Sequence, residues 1–130
     1  MAFRHLPLKT HEYAREAALL SICAEGPGLF WPVHDAFFAD SAIRSPGAFR
    51  QRAIAAGMDG RRLDRCVSGK EAQSRLAADL ELAMTLGVQG TPVFFVGQLT
   101  AAGVVVRRVL VGAQPFKDMS AAIDSIVSSR

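Results

Sequence analysis

The side chains best equipped for covalent or acid–base chemistry in this 130-residue chain are two cysteines, Cys23 and Cys66, and three histidines, His5, His11 and His34. Dithiol chemistry is usually done by a Cys-x-x-Cys pair at a helix N-terminus, where the lowered thiol pKa yields the attacking thiolate. No such pair is present, because the two cysteines stand far apart. They also lack a Cys/His set at zinc spacing, so no metal or other cofactor is expected. His34 is followed by Asp35, which suggests a general base. Adjacent helical residues point in different directions, however, and no nucleophile is indicated, so a packing or capping histidine is the expected role. His5 and His11 receive no role. Phe30, Trp31, Phe37 and Phe38 could line a peptide groove, but aromatics at this spacing are expected in the core.

Composition narrows the classes further. The net charge is +3, from 15 Lys and Arg against 12 Asp and Glu. Its one cluster, Arg61, Arg62 and Arg65, reads as a solvated face, and nucleic acid is not an expected partner. No apolar run reaches the roughly 18 residues of a membrane span, so no membrane partner is expected. The first ten residues hold no apolar stretch of the kind a secretory leader needs. The expected location is therefore cytoplasmic, or periplasmic or secreted if Met1 is not the natural start.

Half of the residues are apolar, enough for one core in one domain spanning 1–130. Phe3-Arg4-His5-Leu6 reads as a short strand stopped by Pro7. Thr10 is the expected cap of a helix whose apolar positions are Tyr13, Ala17, Leu20 and Ala24, with Gly26 as its stop. A second helix runs from Leu29 to Asp40, presenting Phe30, Val33 and Phe37, with Pro32 in its first turn. Ser45-Pro46 opens a third helix that aligns Phe49, Ala53 and Ala56 and ends at Gly57. Asp59 caps a short fourth, through Leu63 to Val67. Ser68-Gly69-Lys70-Glu71 has the capping-box pattern for a fifth, with Ala72, Leu76, Leu80 and Ala83 buried up to Gly87. Val93 to Val96 and Val104 to Val111 then read as an antiparallel hairpin. Pro115 is placed at N1 of a last helix that sets Phe116, Met119, Ile123 and Ile126 at i, i+3, i+7 and i+10.

Strand, helical block, hairpin and helix make an α/β order in which a helical insertion, about 10–87, separates the first strand from a C-terminal ββα unit. The segment Gly87-Val88-Gln89-Gly90-Thr91-Pro92-Val93 narrows the fold. A helix ending in Gly, a Gly-Thr-Pro turn and an immediate apolar strand resemble the cis-proline loop of thioredoxin-fold enzymes. A cis X-Pro bond costs only about 0.5–1 kcal/mol, so it can hold a sharp loop beside an active site. The Thr91 backbone is then left to pair with an extended peptide.

Three further pieces resemble the DsbA-like thiol–disulfide oxidoreductase family: Phe3-Arg4-His5-Leu6-Pro7-Leu8, Gly28-Leu29-Phe30-Trp31 with His34-Asp35, and Val111-Gly112-Ala113-Gln114-Pro115-Phe116. The resemblance runs from about Phe3 to Val127. It implies a thioredoxin-like fold, an extended peptide or protein as partner, and Gly90, Thr91 and Pro92 as substrate-binding residues. The family's N-terminal strand and Cys-x-x-Cys helix have no counterpart before Phe3, so the fold is expected to be incomplete and this chain catalytically silent by itself. No catalytic residue carries over. The open sheet positions imply a homo-oligomer that completes the sheet, or a fragment of a longer protein.

Some family members carry a second, structural disulfide in the helical insertion. For Cys23 and Cys66 the alternatives are such a disulfide, contributing about 4 kcal/mol before any strain, buried free thiols, or a replacement redox pair. Two alternative functions accompany the leading one: a redox-dead module binding peptides or partners through the Pro92 loop, and a glutathione-using isomerase or kappa-type transferase relative.

Overall fold

A computed structural model describes residues 1–39, 45 and 47–128. The chain divides into two compact units, Met1–Leu86 and Gly87–Arg130. Among the described residues there are six helices and a two-stranded antiparallel sheet, the mixed α/β content of a thioredoxin-like fold.

The first unit is helical: α1 (Ala14–Glu25), α2 (Phe30–Phe38), α3 (Ala48–Ala55), α4 (Gly60–Val67) and α5 (Lys70–Thr85). All four later helices pack on α1. This explains why Ala18, Leu19, Leu20, Ser21, Ile22, Cys23 and Ala24 are buried in an unbroken run rather than on one stripe. Leu63, Leu76 and Val33 are the largest side chains wholly removed from solvent. Each contributes about 1.5–3 kcal/mol of burial.

The helix ends follow local chemistry. Gly28, at φ 76°, closes α1: its N–H donates to the Glu25 carbonyl at 2.9 Å, and that of Leu29 to Ala24 at 2.8 Å. α1 ends at Glu25 with Gly26 as its C-cap, as expected, although Gly26 is right-handed and the left-handed turn follows two residues later. Gly57, at φ 111°, closes α3 in the same way and turns Met58 into the core. Asp59 caps α4 as expected, accepting the Arg62 N–H at 2.7 Å.

Several expectations need correction. Phe3–Leu6 is not a strand: among the described residues of the helical unit no strand offers it a ladder, and the His5 backbone N–H donates instead to the Asp79 carboxylate. Thr10 does not cap α1, because tight turns bonding His11 to Leu8 and Ala14 to His11 delay its start to Ala14. Gly47, at φ 75°, and not Ser45, is the N-cap of α3. Pro46 and Asp40 lie outside the described residues. Ser68 bonds back to the Asp64 carbonyl at 2.8 Å, so Gly69 is the N-cap of α5 and no capping box forms.

In the second unit β1 (Val93–Thr100) pairs with β2 (Gly103–Val111), and α6 (Phe116–Val127) packs on β1. The register runs from Val93 opposite Val111 to Thr100 opposite Gly103 and slips at Val96/Gly97, leaving Arg107 as the extra residue. Glycine is required here: a Cβ on Gly97 would lie 2.3 Å from the Val105 carbonyl oxygen. β1 therefore continues four residues past the expected Val96. In α6 the buried residues are Ala122 and Ile126, and of the spaced apolar set Phe116 and Ile123 are exposed. Pro115 is the N-cap rather than the first helical residue, so the helical phase begins later than the sequence pattern implied.

Candidate functional site

Gly90-Thr91-Pro92 leads directly into β1, and the Thr91–Pro92 peptide bond is cis. The Pro92 carbonyl accepts the Gly112 N–H at 2.8 Å, extending the hairpin ladder one step beyond the Val93–Val111 pair. Gly112 sits at φ 84°, a conformation that favours glycine. Thr91 and Pro92 are exposed and Gly90 is half-buried. The Thr91 backbone has no hydrogen-bond partner among the described residues. The loop thus presents backbone polar groups at the head of a strand, a geometry suited to an added extended segment.

The cysteines form one disulfide between α1 and α4, across 43 positions, with Cα atoms 5.9 Å apart. Cys23 is buried in the core and Cys66 packs against it. No free cysteine stands among the described residues, and no group of three or more His, Cys, Asp or Glu side chains gathers there to hold a metal ion.

Around the start of α2, Phe3, His5, Phe30, Trp31, His34 and Phe38 form a chain of ring contacts, from Phe3–Phe30 at 5.4 Å to His34–Phe38 at 4.6 Å. Of the four aromatics expected in the core, Phe37 packs there against Phe49 at 4.9 Å, while Trp31 and Phe38 are exposed. The reason is that α2 buries one face only, the one carrying Val33. Nδ1 of His34 lies 3.0 Å from Oδ1 of Asp35, so these neighbours do meet. A cleft of about 300 Å³ lies between Met1, Ala2, Phe3, Arg4, Glu25, Phe30, Trp31 and Arg75.

Sequence reasoning missed Asp79 and the burial of His5. Asp79 is 8% exposed. Its carboxylate accepts the His5 N–H at 2.9 Å and an Arg4 guanidinium N–H at 3.3 Å. A signal was present, since Asp79 stands three residues after buried Leu76 on the same helical face. His5 is 7% exposed, and its Nε2 has no partner among the described residues. Burial holds the imidazole below its ordinary value of 6.5. The Asp79 and Glu25 carboxylates oppose this, and Arg75 and Arg4 reinforce it.

Comparison with known proteins places these features in a family. A match to the DSBA-like thioredoxin domain covers residues 3–124. Two curated relatives are each 34% identical over 95 residues: Na(+)/H(+) antiporter NhaA 3 of Salinispora tropica and Na(+)/H(+) antiporter NhaA 1 of Salinispora arenicola. The match takes in 72% of this chain but 15% of either relative, so the chain spans a small part of their length. No solved structure matches significantly. Among the described residues no helix is long and apolar enough to cross a membrane. With the family match extending over nearly the whole chain, this protein belongs to the DSBA-like thioredoxin domain family, a family of thiol–disulfide oxidoreductases.

Proposed function

We propose that this chain is a DsbA-like domain that docks an extended peptide at Gly90-Thr91-Pro92 and performs no thiol–disulfide exchange by itself. The observation that carries this reading is the Cys23–Cys66 link: both cysteines are committed to one crosslink in a helical core, and neither belongs to a Cys-x-x-Cys. A structural tie is what remains for them. Peptide docking is supported by the exposed Thr91 backbone at the head of β1.

Two measurements test it. An insulin-reduction assay with the purified chain should run at the rate of the reductant alone. Titration with an extended peptide, followed by backbone amide shifts, should perturb Gly90 and Thr91, and Thr91→Pro should abolish the effect by removing the N–H. Turnover above background, or an unchanged titration in Thr91→Pro, defeats the corresponding half of the proposal.

Self-association is part of the same proposal. Among the described residues of the second unit β1 and β2 pair only with each other, so each leaves an outer edge open. Light scattering at micromolar concentration should report a homo-oligomer, and a clean monomer would sink this part. The partial coverage of the antiporter relatives favours a second reading, in which this DsbA-like domain works as a module joined to a larger polypeptide. An antibody raised against this chain would then detect a far longer species in native extract.

A further inference from the structure

Residues 1–8 have no regular secondary structure, yet they are drawn onto the helical unit. Among the described residues two polar bonds anchor them, both to one acceptor: the Asp79 carboxylate on α5 takes the His5 backbone N–H and an Arg4 guanidinium N–H. The rest is ring packing, with Phe3 5.2 Å from His5 and His5 6.3 Å from Phe30. The His5 ring lies at the centre of this contact, buried, with Nε2 lacking any partner among the described residues.

We propose that residues 1–8 form a pH-sensitive strap, held against α1, α2 and α5 while the His5 ring is neutral and released when that ring takes up a proton. A neutral imidazole can leave Nε2 as a bare lone pair in an apolar contact. An imidazolium must place an N–H on both nitrogens, and at Nε2 no acceptor meets it. The charged groups facing the ring come from every element packed on it. Asp79 and Arg75 lie on α5, Glu25 on α1 and Arg4 on the strap itself, while α2 brings the His34 ring within 5.5 Å of Phe3. The two carboxylates favour the proton and the two guanidiniums disfavour it, so burial decides the balance.

The docked ring thus binds its proton more weakly than a free imidazole. Docking is complete above the ordinary value of 6.5 and is lost as pH falls from there through the lowered value of the docked ring. Release would remove one wall of the Phe30–Trp31 cleft, since Phe3 and Arg4 supply it.

Hydrogen exchange on the full chain tests the device. Between about pH 7.5 and about pH 5, exchange of the His5 backbone amide, the one backbone N–H of the strap with an acceptor among the described residues, should rise severalfold once corrected for intrinsic chemistry, while α1 and α5 stay protected. His5→Phe, which keeps the ring and removes the titration, should stay protected at both pH values. Asp79→Asn should weaken docking at both. A wild-type strap whose protection does not change with pH overturns the proposal. So does His5→Phe opening in acid as the wild type does, which would assign the transition to Asp79. Should His5→Phe not fold, the wild-type His5 imidazole shifts decide the matter: their midpoint must lie below 6.5 and coincide with strap release.

Discussion

In the helical unit a single central helix is walled by four others and tied by a disulfide, whereas the hairpin–helix unit rests on a backbone ladder and one covering helix. The first takes its order from side chains. Leu63, Leu76 and Val33 are sealed there, and a dozen buried residues, from Ala18 to Leu76, form one cluster. Among the described residues of the second the buried ones are Ala122 and Ile126, and register is held by backbone geometry at Gly97 and Gly103. The contrast teaches where each unit is vulnerable. Volume changes should damage the first, and backbone changes the second.

The sharpest break of that contrast is removal of the crosslink. Cys23→Ala with Cys66→Ala should lower the stability of the helical unit by about 2–5 kcal/mol, measured by urea unfolding followed by far-UV circular dichroism. Leu76→Ala should cost about 2–5 kcal/mol in the same assay, while Ile123→Ala, at a site 46% exposed, should change stability by less than about 1 kcal/mol. Gly97→Ala tests the opposite vulnerability. Its new Cβ meets the Val105 carbonyl, so the hairpin should lose about 1–3 kcal/mol, with exchange of the β1 and β2 amides accelerated and that of α1 unchanged.

The smallest effect concerns charge on the helical unit's surface. Arg50 bonds Asp64 through Nε at 2.7 Å and Nη2 at 2.8 Å, and this hydrogen-bonded pairing holds the Asp64 carboxyl below its ordinary 3.8. A carboxyl with a depressed folded value contributes stability above 3.8 that is lost as pH falls through the lowered value. Asp64→Asn should therefore show a slightly lower urea midpoint than wild type near neutrality, converging on it in acid. Because the pair is exposed, the difference should shrink further in high salt.

Much of this was legible in the sequence wherever a side chain or glycine acts on its own neighbourhood. Asp59 announces α4, Gly57 ends α3, and the β-branched run at Val104 to Val111 forms a strand. Legibility failed where a distant group intervenes. Phe3-Arg4-His5-Leu6 has strand composition, but its backbone donor goes to Asp79, more than seventy positions away. Ser68 has the spacing of a capping box, yet the preceding helix offers the Asp64 carbonyl first. Trp31 and Phe38 have core composition, but α2 buries only the face of Val33. The Gly90-Thr91-Pro92 loop was readable because turn chemistry is local. The Asp79–His5–Arg4 cluster was not, because three unremarkable residues acquire meaning only when α5 meets the chain's beginning.

The Cys23–Cys66 bond also gives the molecule a covalent ring that contains all of α2 and α3. Within that ring the backbone is redundant as a tether. A protease that cuts once between the two cysteines produces two new ends but no separate fragment, and the cleaved chain keeps its mass on a non-reducing gel apart from one added water. Only reductant would reveal the cut.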